Sequence, residues 1–305
     1  MKNTIETFSA LGARLLGFGD DDATRAVIDS ACRANGWFTP ADIRRAVRAI
    51  ACDMLQREKL EAWLADYPVL PVAEPRRVLV VMAGNIPLVG FFDLLCVLVS
   101  GHGCLVKPSA KDSVLMEHVV GLLREIDPSA PVRLYDGTSP VDAVIATGSD
   151  NANRYFRAHY AGIPSLLRGS RQSVAVLSGR ETPEQLAGLA DDIWAYSGLG
   201  CRSVSLIFAP EGYEPALQIP PVNDKYINNY RQQRSLLEMQ GRPFVDLGCA
   251  VAVEQCAFPA ALSRIAYAHY ATLDEVVAWL AGHDGELQCL SLIHISEPTR
   301  PLYIS

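Results

Sequence analysis

The 305-residue sequence lacks the patterns that mark several common classes of protein. Its eight cysteines include no C-x-x-C pair, so neither a zinc ribbon nor a disulfide framework is indicated, and a reducing cytoplasm is expected. Its six histidines form no H-E-x-x-H or similar spacing, so the sequence predicts no metal site. It contains no G-x-G-x-x-G segment, and the ordinary Rossmann fingerprint is therefore missing.

Excess positive charge and long apolar runs are missing as well. The formal net charge is −7, so no basic surface for nucleic acid or an anionic membrane is indicated. The longest apolar stretch, 86–100, is broken by a proline, a glycine and an aspartate and is shorter than the roughly 20 residues that span a bilayer. It predicts a buried helix. Residues 1–10 show no charged leader before an apolar run, so we expect no secretory signal and a cytoplasmic location.

What is present is a regular alternation of helical and strand-like segments in a chain that is 50% hydrophobic. Prolines in 67–77 predict a linker after N-terminal helices, and Thr39 with Pro40 predicts a capped helix start. The expected helices are 4–16, 21–34, 40–66, 88–100, 112–126 and 184–196, and the expected strands are 78–83, 104–106, 132–135, 143–146, 174–177 and 203–208. Alternation of this kind favours parallel sheets with right-handed crossovers.

A cysteine next to glycines is the first candidate for chemistry. The segment 197–203 reads S-G-L-G-C-R-S and places Cys201 between a predicted helix and an apolar strand. Glycines allow a substrate to approach the backbone, and neighbouring N–H groups stabilise a thiolate or a developing oxyanion. A buried structural cysteine is the alternative.

Three further motifs follow predicted strands. Asn85 comes after the first strand, where its amide can donate to a substrate carbonyl, with a simple turn asparagine as the alternative. Lys107 ends the second strand and suits a phosphate or ribose, unless it is a solvated surface lysine. Ala110 supplies no carboxylate for a ribose diol, which favours NADP(H) over NAD(H). Gly148 and Ser149 precede a predicted helix whose N–H groups can receive a pyrophosphate, or Ser149 is only an N-cap.

The motifs N-x-P, K-P-S, T-G-S and the glycine-flanked cysteine occur in one order along the chain, and together they resemble the aldehyde dehydrogenase superfamily. The sequence is most similar to the acyl-CoA reductase branch, which includes the fatty-acid reductase component of bacterial bioluminescence. The resemblance extends over 35–289, and G-C-R-S-V-S at 200–205 is its most specific part. It implies an α/β fold with N-terminal helices, an open parallel-sheet dinucleotide-binding domain and an α/β catalytic domain.

The resemblance implies roles for individual residues. Lys107 and Ser109 match residues that contact the adenosine side of the cofactor, and Gly148 and Ser149 match the turn on the pyrophosphate side. Glu254 begins E-Q-C-A-F-P, which is similar to the family's E-x-F-G-P segment, although the spacing differs by one residue. The glutamate of that segment holds the nicotinamide ribose.

By the same resemblance, Cys201 matches the acyl-accepting nucleophile and Asn85 the oxyanion-hole amide. Hydrolytic members carry a general-base glutamate in E-L-G-G-K-S, whereas the aligned residues 168–173 read R-G-S-R-Q-S. Water activation then loses its proton acceptor, and acyl transfer to or from a thiol is expected. Arg168 and Arg171 would attract coenzyme A phosphates or form structural salt bridges.

The expected function is therefore NADPH-dependent reduction of an acyl-CoA thioester to an aldehyde through an acyl-cysteine, with NAD(H) as the alternative cofactor. A cofactor-independent cysteine acyltransferase or thioesterase, or a catalytically silent binding partner, is the alternative. Acyl-CoA is the expected partner, nucleic acid and a membrane span are not expected, and a homo-oligomer stays open.

The expected domains are an N-terminal helical segment, a dinucleotide-binding domain and a catalytic thiol domain, over 1–70, 71–172 and 173–289. From residue 290 the chain reads L-S-L-I-H-I-S-E-P-T-R, which resembles read-through of a sequencing adapter, with barcode-derived residues after it. We expect 290–305 to be a non-native tail that truncates the catalytic domain. A native strand and turn is the alternative.

Overall fold

A computed structural model describes residues 2–292 of the chain, which divides into two units, one ending at Gly169 and one beginning at Ser170. The helices are α1 Lys2–Leu16, α2 Asp22–Ala34, α3 Pro40–Ala49, α4 Arg57–Ala65, α5 Phe91–Val99, α6 Ser113–Ile126, α7 Asp150–His159, α8 Pro183–Trp194, α9 Asp224–Met239 and α10 Leu273–Gly282. The strands are β1 Arg77–Val81, β2 Gly103–Lys107, β3 Val132–Leu134, β4 Ala143–Thr147, β5 Ser165–Arg168, β6 Gln172–Val176, β7 Val204–Pro210, β8 Val245–Asp246, β9 Val251–Glu254, β10 Arg264–Tyr270 and β11 Leu287–Leu292.

The first unit is built on a parallel sheet in the order β3-β2-β1-β4-β5. Alternate residues of β1 face two different cores, because successive side chains of a strand point to opposite faces. Val78 and Val80 pack with helices α1 to α6, whereas Leu79 and Val81 pack with Tyr160 and its neighbours at the end of α7. Burial on both faces explains why the strand reads as a continuous apolar run.

The second unit contains a six-stranded sheet in the order β11-β6-β7-β10-β9-β8, in which only the short β8 runs antiparallel to its neighbour. Its core joins Val174, Leu206 and Ala266 from three adjacent strands to Val276 of α10. Tyr230 and Leu237 of α9 pack in a separate cluster with β9.

The α/β alternation predicted from the sequence is confirmed for the elements up to β7, except that β5 was not predicted. The Thr39 cap is confirmed too, since its side chain accepts the N–H of Asp42. The helix expected over 40–66 is interrupted, because residues 50–54 form a π-helical turn and the helix restarts only at Arg57. Leu55 lies so close to α1 at this point that a Cβ on Gly12 would be 2.8 Å from the Leu55 Cβ.

The predicted tail falls partly outside the described residues. Its first residues, 290–292, complete β11 and pair with β6, while residues 293–305 lie outside the described range, so the origin of the segment stays a prediction. The domain bounds at 70 and 172 also stay predictions. Every helix within residues 2–292 is too short or too polar to span a lipid bilayer.

Candidate functional site

The carboxyl edge of the first sheet gathers five of the residues that the sequence singled out. Strands β1, β2 and β4 are parallel and in register, with Val81 opposite both Lys107 and Ala146. The segments that follow them therefore leave the sheet at the same edge, and they carry Asn85, Lys107, Ser109, Gly148 and Ser149. The chain passes from β1 to β2 on one side and later returns to β4 on the other, so β1 and β4 flank a topological switch point. Ligands of open α/β sheets bind at such a point.

The loops after β1 and β2 approach each other closely at Gly84. A Cβ on Gly84 would lie 2.6 Å from both the Cβ and the Oγ of Ser109, a separation that requires the loops to move apart. The carbonyl of Gly84 also accepts a buried hydrogen bond from the Asn35 side-chain amide, at 3.3 Å. Position 84 therefore requires glycine, because any Cβ there would overlap with Ser109. The contact also places Gly84, the residue before Asn85, directly against Ser109.

Replacement of Gly84 by alanine is expected to lower the free energy of unfolding by about 1–3 kcal/mol, the usual cost of overpacking a close contact. The matched control is Gly121→Ala, since Gly121 lies in α6 and a Cβ there would meet nothing within 4 Å. A helical alanine is favoured over glycine by about 0.5–1 kcal/mol, so the control should gain stability. Urea unfolding followed by circular dichroism measures both, and a Gly84→Ala protein as stable as the parent would contradict the contact.

The N-terminus of α7 is compatible with both interpretations of Ser149, as an N-cap and as part of a pyrophosphate site. Its hydroxyl accepts the N–H of Ala152 at 3.4 Å, so Ser149 is the N-cap. A Cβ on Gly148 would lie 3.0 Å from that of Ala152, so the glycine leaves the helix start open. Unpaired N–H groups at such a start favour an anion, which is the chemistry expected for a pyrophosphate.

The loop before Cys201 has an unusual backbone. Tyr196, Ser197 and Gly198 are consecutive left-handed residues, with φ of 53°, 57° and 64°. This region is uncommon for residues other than glycine, and it costs of order 1–3 kcal/mol per residue when the surroundings impose it. Such conformations concentrate at functional sites, and here they direct the chain from α8 into the turn that carries Cys201.

Cys201 itself is exposed, whereas a structural cysteine of the core would be buried. Neighbouring protein atoms nevertheless desolvate the thiol and raise its pKa above the ordinary value, and the positive charge of Arg202 opposes that rise. The backbone carbonyl of Cys201 accepts a 2.8 Å hydrogen bond from the fully buried Ser173 hydroxyl, which also lies 2.9 Å from the Cys289 Sγ. The turn is thus attached to β6, while Cys201 as a residue is exposed.

A cavity of about 270 Å³ lies within the second unit at the amino ends of β6, β7 and β10. Gly198 and Ser203, on either side of Cys201 in the chain, line it together with Tyr226 and Arg264. The Arg264 Nε is buried without a hydrogen-bond partner among the described residues, and burial lowers the pKa of this guanidinium. Residues on both sides of Cys201 in the chain therefore border a partly open cavity that is also lined by the cationic side chain of Arg264.

The two arginines of 168–173 have structural contacts. Arg168 forms an ion pair with Asp93, with 2.6 Å between Nη1 and Oδ1, and this is the salt-bridge alternative named above. Arg171 donates to the Leu287 carbonyl at 3.1 Å. Residues 168–173, the segment in which hydrolytic aldehyde dehydrogenases are expected to carry a general base, contain no carboxylate of their own, and the carboxylate of Asp93 is engaged by the Arg168 guanidinium.

The structure thus distributes the candidate residues between its units. Asn85, Lys107, Ser109, Gly148 and Ser149 meet at one sheet edge of the first unit, and Cys201 and Glu254 belong to the second unit. Glu254 is the last residue of β9 and is exposed, and the rest of its motif lies after the strand. Within residues 2–292 no cluster of three His, Cys, Asp or Glu side chains is arranged to hold a metal ion.

Sequence reasoning missed two residues that organise these loops. Ser173 holds the Cys201 turn, and Asp112 accepts a 2.8 Å hydrogen bond from the Leu88 backbone in the loop that carries Asn85. The only sequence signal for Asp112 was its place at the start of the predicted helix 112–126, where an aspartate ordinarily caps its own helix.

Comparison with known proteins gives a family match over more than half of the chain. The model of the family described as acyl-CoA reductase (LuxC) matches residues 33–218, a range that includes both Asn85 and Cys201. A relative from Vibrio harveyi, named long-chain acyl-protein thioester reductase, is 28% identical over 174 residues, which is 50% of this chain and 36% of the relative. The chain spans little more than a third of the length of the curated relatives it matches.

Solved aldehyde dehydrogenase structures share the fold. A point mutant of betaine aldehyde dehydrogenase from Staphylococcus aureus, in complex with NAD+, superposes with a TM-score of 0.66 at 14% identity, covering 97% of this chain and 77% of that one. The NADP-dependent glyceraldehyde-3-phosphate dehydrogenase from Bacillus halodurans, complexed with NADP, gives 0.64 at 12% identity, covering 98% and 79%. The aldehyde dehydrogenase-like fold expected from the motifs is confirmed.

Proposed function

Because the chain belongs to the acyl-CoA reductase (LuxC) family, we propose that it reduces an acyl-CoA thioester to an aldehyde with NADPH, through an acyl-cysteine on Cys201. The observation that carries the proposal is the exposed residue Cys201, in a strained glycine-flanked turn inside the range that the family matches. The name of the Vibrio harveyi relative supports an acyl thioester as the class of substrate.

Cys201 acts as the nucleophile. Its thiolate sulfur bonds to the thioester carbonyl carbon, the bond from that carbon to the coenzyme A sulfur breaks, and coenzyme A leaves as the thiolate. The side-chain amide of Asn85 donates to the oxyanion of the tetrahedral intermediate. Since the pKa of the Cys201 thiol is raised, the thiolate fraction and the acylation rate should rise with pH beyond the point at which an ordinary cysteine is ionised.

The acyl-enzyme is protected from hydrolysis because position 168 carries an arginine and not a general base. Arg168 stands where hydrolytic relatives carry their general base, and its guanidinium is paired with Asp93. A permanently protonated group cannot accept a proton from water. The thioester therefore lasts long enough to be reduced.

The carboxyl edge of the first sheet fits a nicotinamide dinucleotide. Gly148 and Ser149 present the start of α7 to the pyrophosphate, and the exposed Lys107 supplies positive charge at the end of β2. Ser109 flanks the adenosine side, and Glu254 contacts the nicotinamide ribose. The missing carboxylate at Ala110 favours NADPH over NADH. The bound cofactor supplies the hydride that reduces the acyl thioester.

Mass spectrometry after incubation with an acyl-CoA, in the absence of nicotinamide, tests the proposal. We expect the intact mass to increase by one acyl group and digestion to locate the adduct on Cys201. Subsequent NADPH should remove the adduct and release an aldehyde. An unmodified protein at saturating acyl-CoA would overturn the proposal. An adduct that passes to water or to another thiol without NADPH would instead support a thioesterase or acyltransferase.

A further inference from the structure

We propose that Asp112 is a positioning residue that holds the loop 84–90 and thereby sets the place of the Asn85 amide. The inference rests on the proposed function, in which that amide stabilises the oxyanion. Asp112 does not touch the substrate or the cofactor in this proposal. It acts through the backbone of Leu88, three residues after Asn85.

Asp112 connects the loops that follow β1 and β2. Its side chain accepts the Leu88 N–H at 2.8 Å, and its own N–H donates to the Ser109 carbonyl at 2.9 Å. The residue is only 4% exposed. One buried side chain thus links the Asn85 loop to the loop that carries Lys107 and Ser109, in addition to the contact between Gly84 and Ser109.

The loop needs such an anchor at Leu88. This leucine has φ of +55°, in the left-handed region that branched, bulky residues rarely adopt. Its side chain is buried in the core of the first unit, so the core fixes the side chain while Asp112 fixes the N–H. Pro87 precedes it and has a restricted φ, so a change at Leu88 is transmitted towards Asn85 with little slack.

The carboxyl group is unusual for a residue at the start of a helix. An aspartate at an N-cap ordinarily accepts the N–H of the second or third helical residue, but the Asp112 side chain makes no such bond to α6. Its Oδ1 is buried without a partner among the described residues, and burial raises the pKa of Asp112 to about 7, against the opposing effect of the Leu88 hydrogen bond. A conventional cap would avoid this desolvation, so the stability of α6 does not account for the arrangement.

Two variants and a control separate positioning from general stability. Asp112→Ala removes the acceptor, and Asp112→Asn keeps a carbonyl oxygen of the same shape and resembles the protonated acid. The control is Asp21→Ala, since Asp21 caps α2 in the same unit by accepting the Thr24 N–H and lies in neither loop. Each protein is measured by hydrogen exchange of segment 84–91, by the single-turnover rate of Cys201 acylation and by the Kd for NADPH.

We expect Asp112→Ala to raise hydrogen exchange of the Leu88 amide at least about tenfold and to slow acylation about 10- to 100-fold, the scale of a misplacement near 1 Å. The Kd for NADPH should stay within about threefold of the parent value. Asp112→Asn should restore both exchange and acylation to within about threefold, and Asp21→Ala should change neither.

Equal slowing of acylation in Asp112→Ala and Asp112→Asn would overturn the inference, as would unchanged exchange of segment 84–91 in Asp112→Ala. If the parent protein forms no acyl-enzyme at all, the proposed function fails. Hydrogen exchange still decides, in that case, whether Asp112 holds the loop.

Discussion

Replacement of Cys201 by serine is expected to abolish acyl-enzyme formation, with no mass adduct after incubation with acyl-CoA and no NADPH consumption above background. A hydroxyl is far less acidic than a thiol, and nothing in the Cys201 turn supplies a base to activate it. Because Cys201 is exposed, its replacement should leave the fold intact. The loss would therefore report the chemistry of a single sulfur atom.

Cys52→Ser is the matched control. Cys52 is a partly exposed cysteine in the π-helical turn of the first unit, remote in sequence from every motif discussed above. It should form the acyl adduct at the parent rate and give the same circular dichroism spectrum. Continued NADPH consumption by Cys201→Ser, with folding preserved, would show that the nucleophile lies elsewhere.

The second large effect is expected for Asn85→Ala, which should slow acylation of Cys201 by about 100- to 1,000-fold, or about 2.7–4 kcal/mol of transition-state stabilisation. The reason is that an oxyanion donor acts most strongly when charge develops in the transition state. The Kd for NADPH, measured by fluorescence titration, should change little, because the amide is proposed to contact the reacting carbonyl.

Asn229→Ala serves as the control for removing an asparagine side chain, since Asn229 lies on α9 and donates within its own helix to the Lys225 carbonyl. It should be acylated at the parent rate. Thermal unfolding of both variants guards against a general loss of structure. An Asn85→Ala protein that is acylated as fast as the parent would remove Asn85 from the mechanism and leave Cys201 in place.

Slow acylation with unchanged cofactor binding would also distinguish the role of Asn85 from the roles of its neighbours at the sheet edge. Lys107 and Gly148 lie at the ends of β2 and β4, the two strands on either side of β1 in the same sheet, yet their proposed contacts are with the cofactor. Variants of these residues should raise the Kd for NADPH and leave the first acylation step nearly intact.

Local sequence was sufficient for much of the first unit. The apolar run at Val78–Val81, the turn that carries Asn85 and the cap at Thr39 were all readable, because each depends on residues within a few positions of one another. The family motifs indicated the fold class and made Cys201 the candidate nucleophile for the same reason, since they lie in short segments around strand ends. The pattern after β7 was weaker, and α9, α10 and β8 to β11 were not predicted from it.

The amino-acid sequence by itself therefore determined the order of most strands and helices up to β7, the glycine-flanked cysteine and the polar residues at strand ends. Only the tertiary structure decided that Asp112 holds Leu88 and that Ser173 lies between Cys201 and Cys289. The last of these contacts joins residues 116 positions apart in the chain through the pairing of β6 with β11. Register between distant strands depends on packing of the whole sheet, and no local periodicity encodes which buried oxygen will meet which backbone N–H.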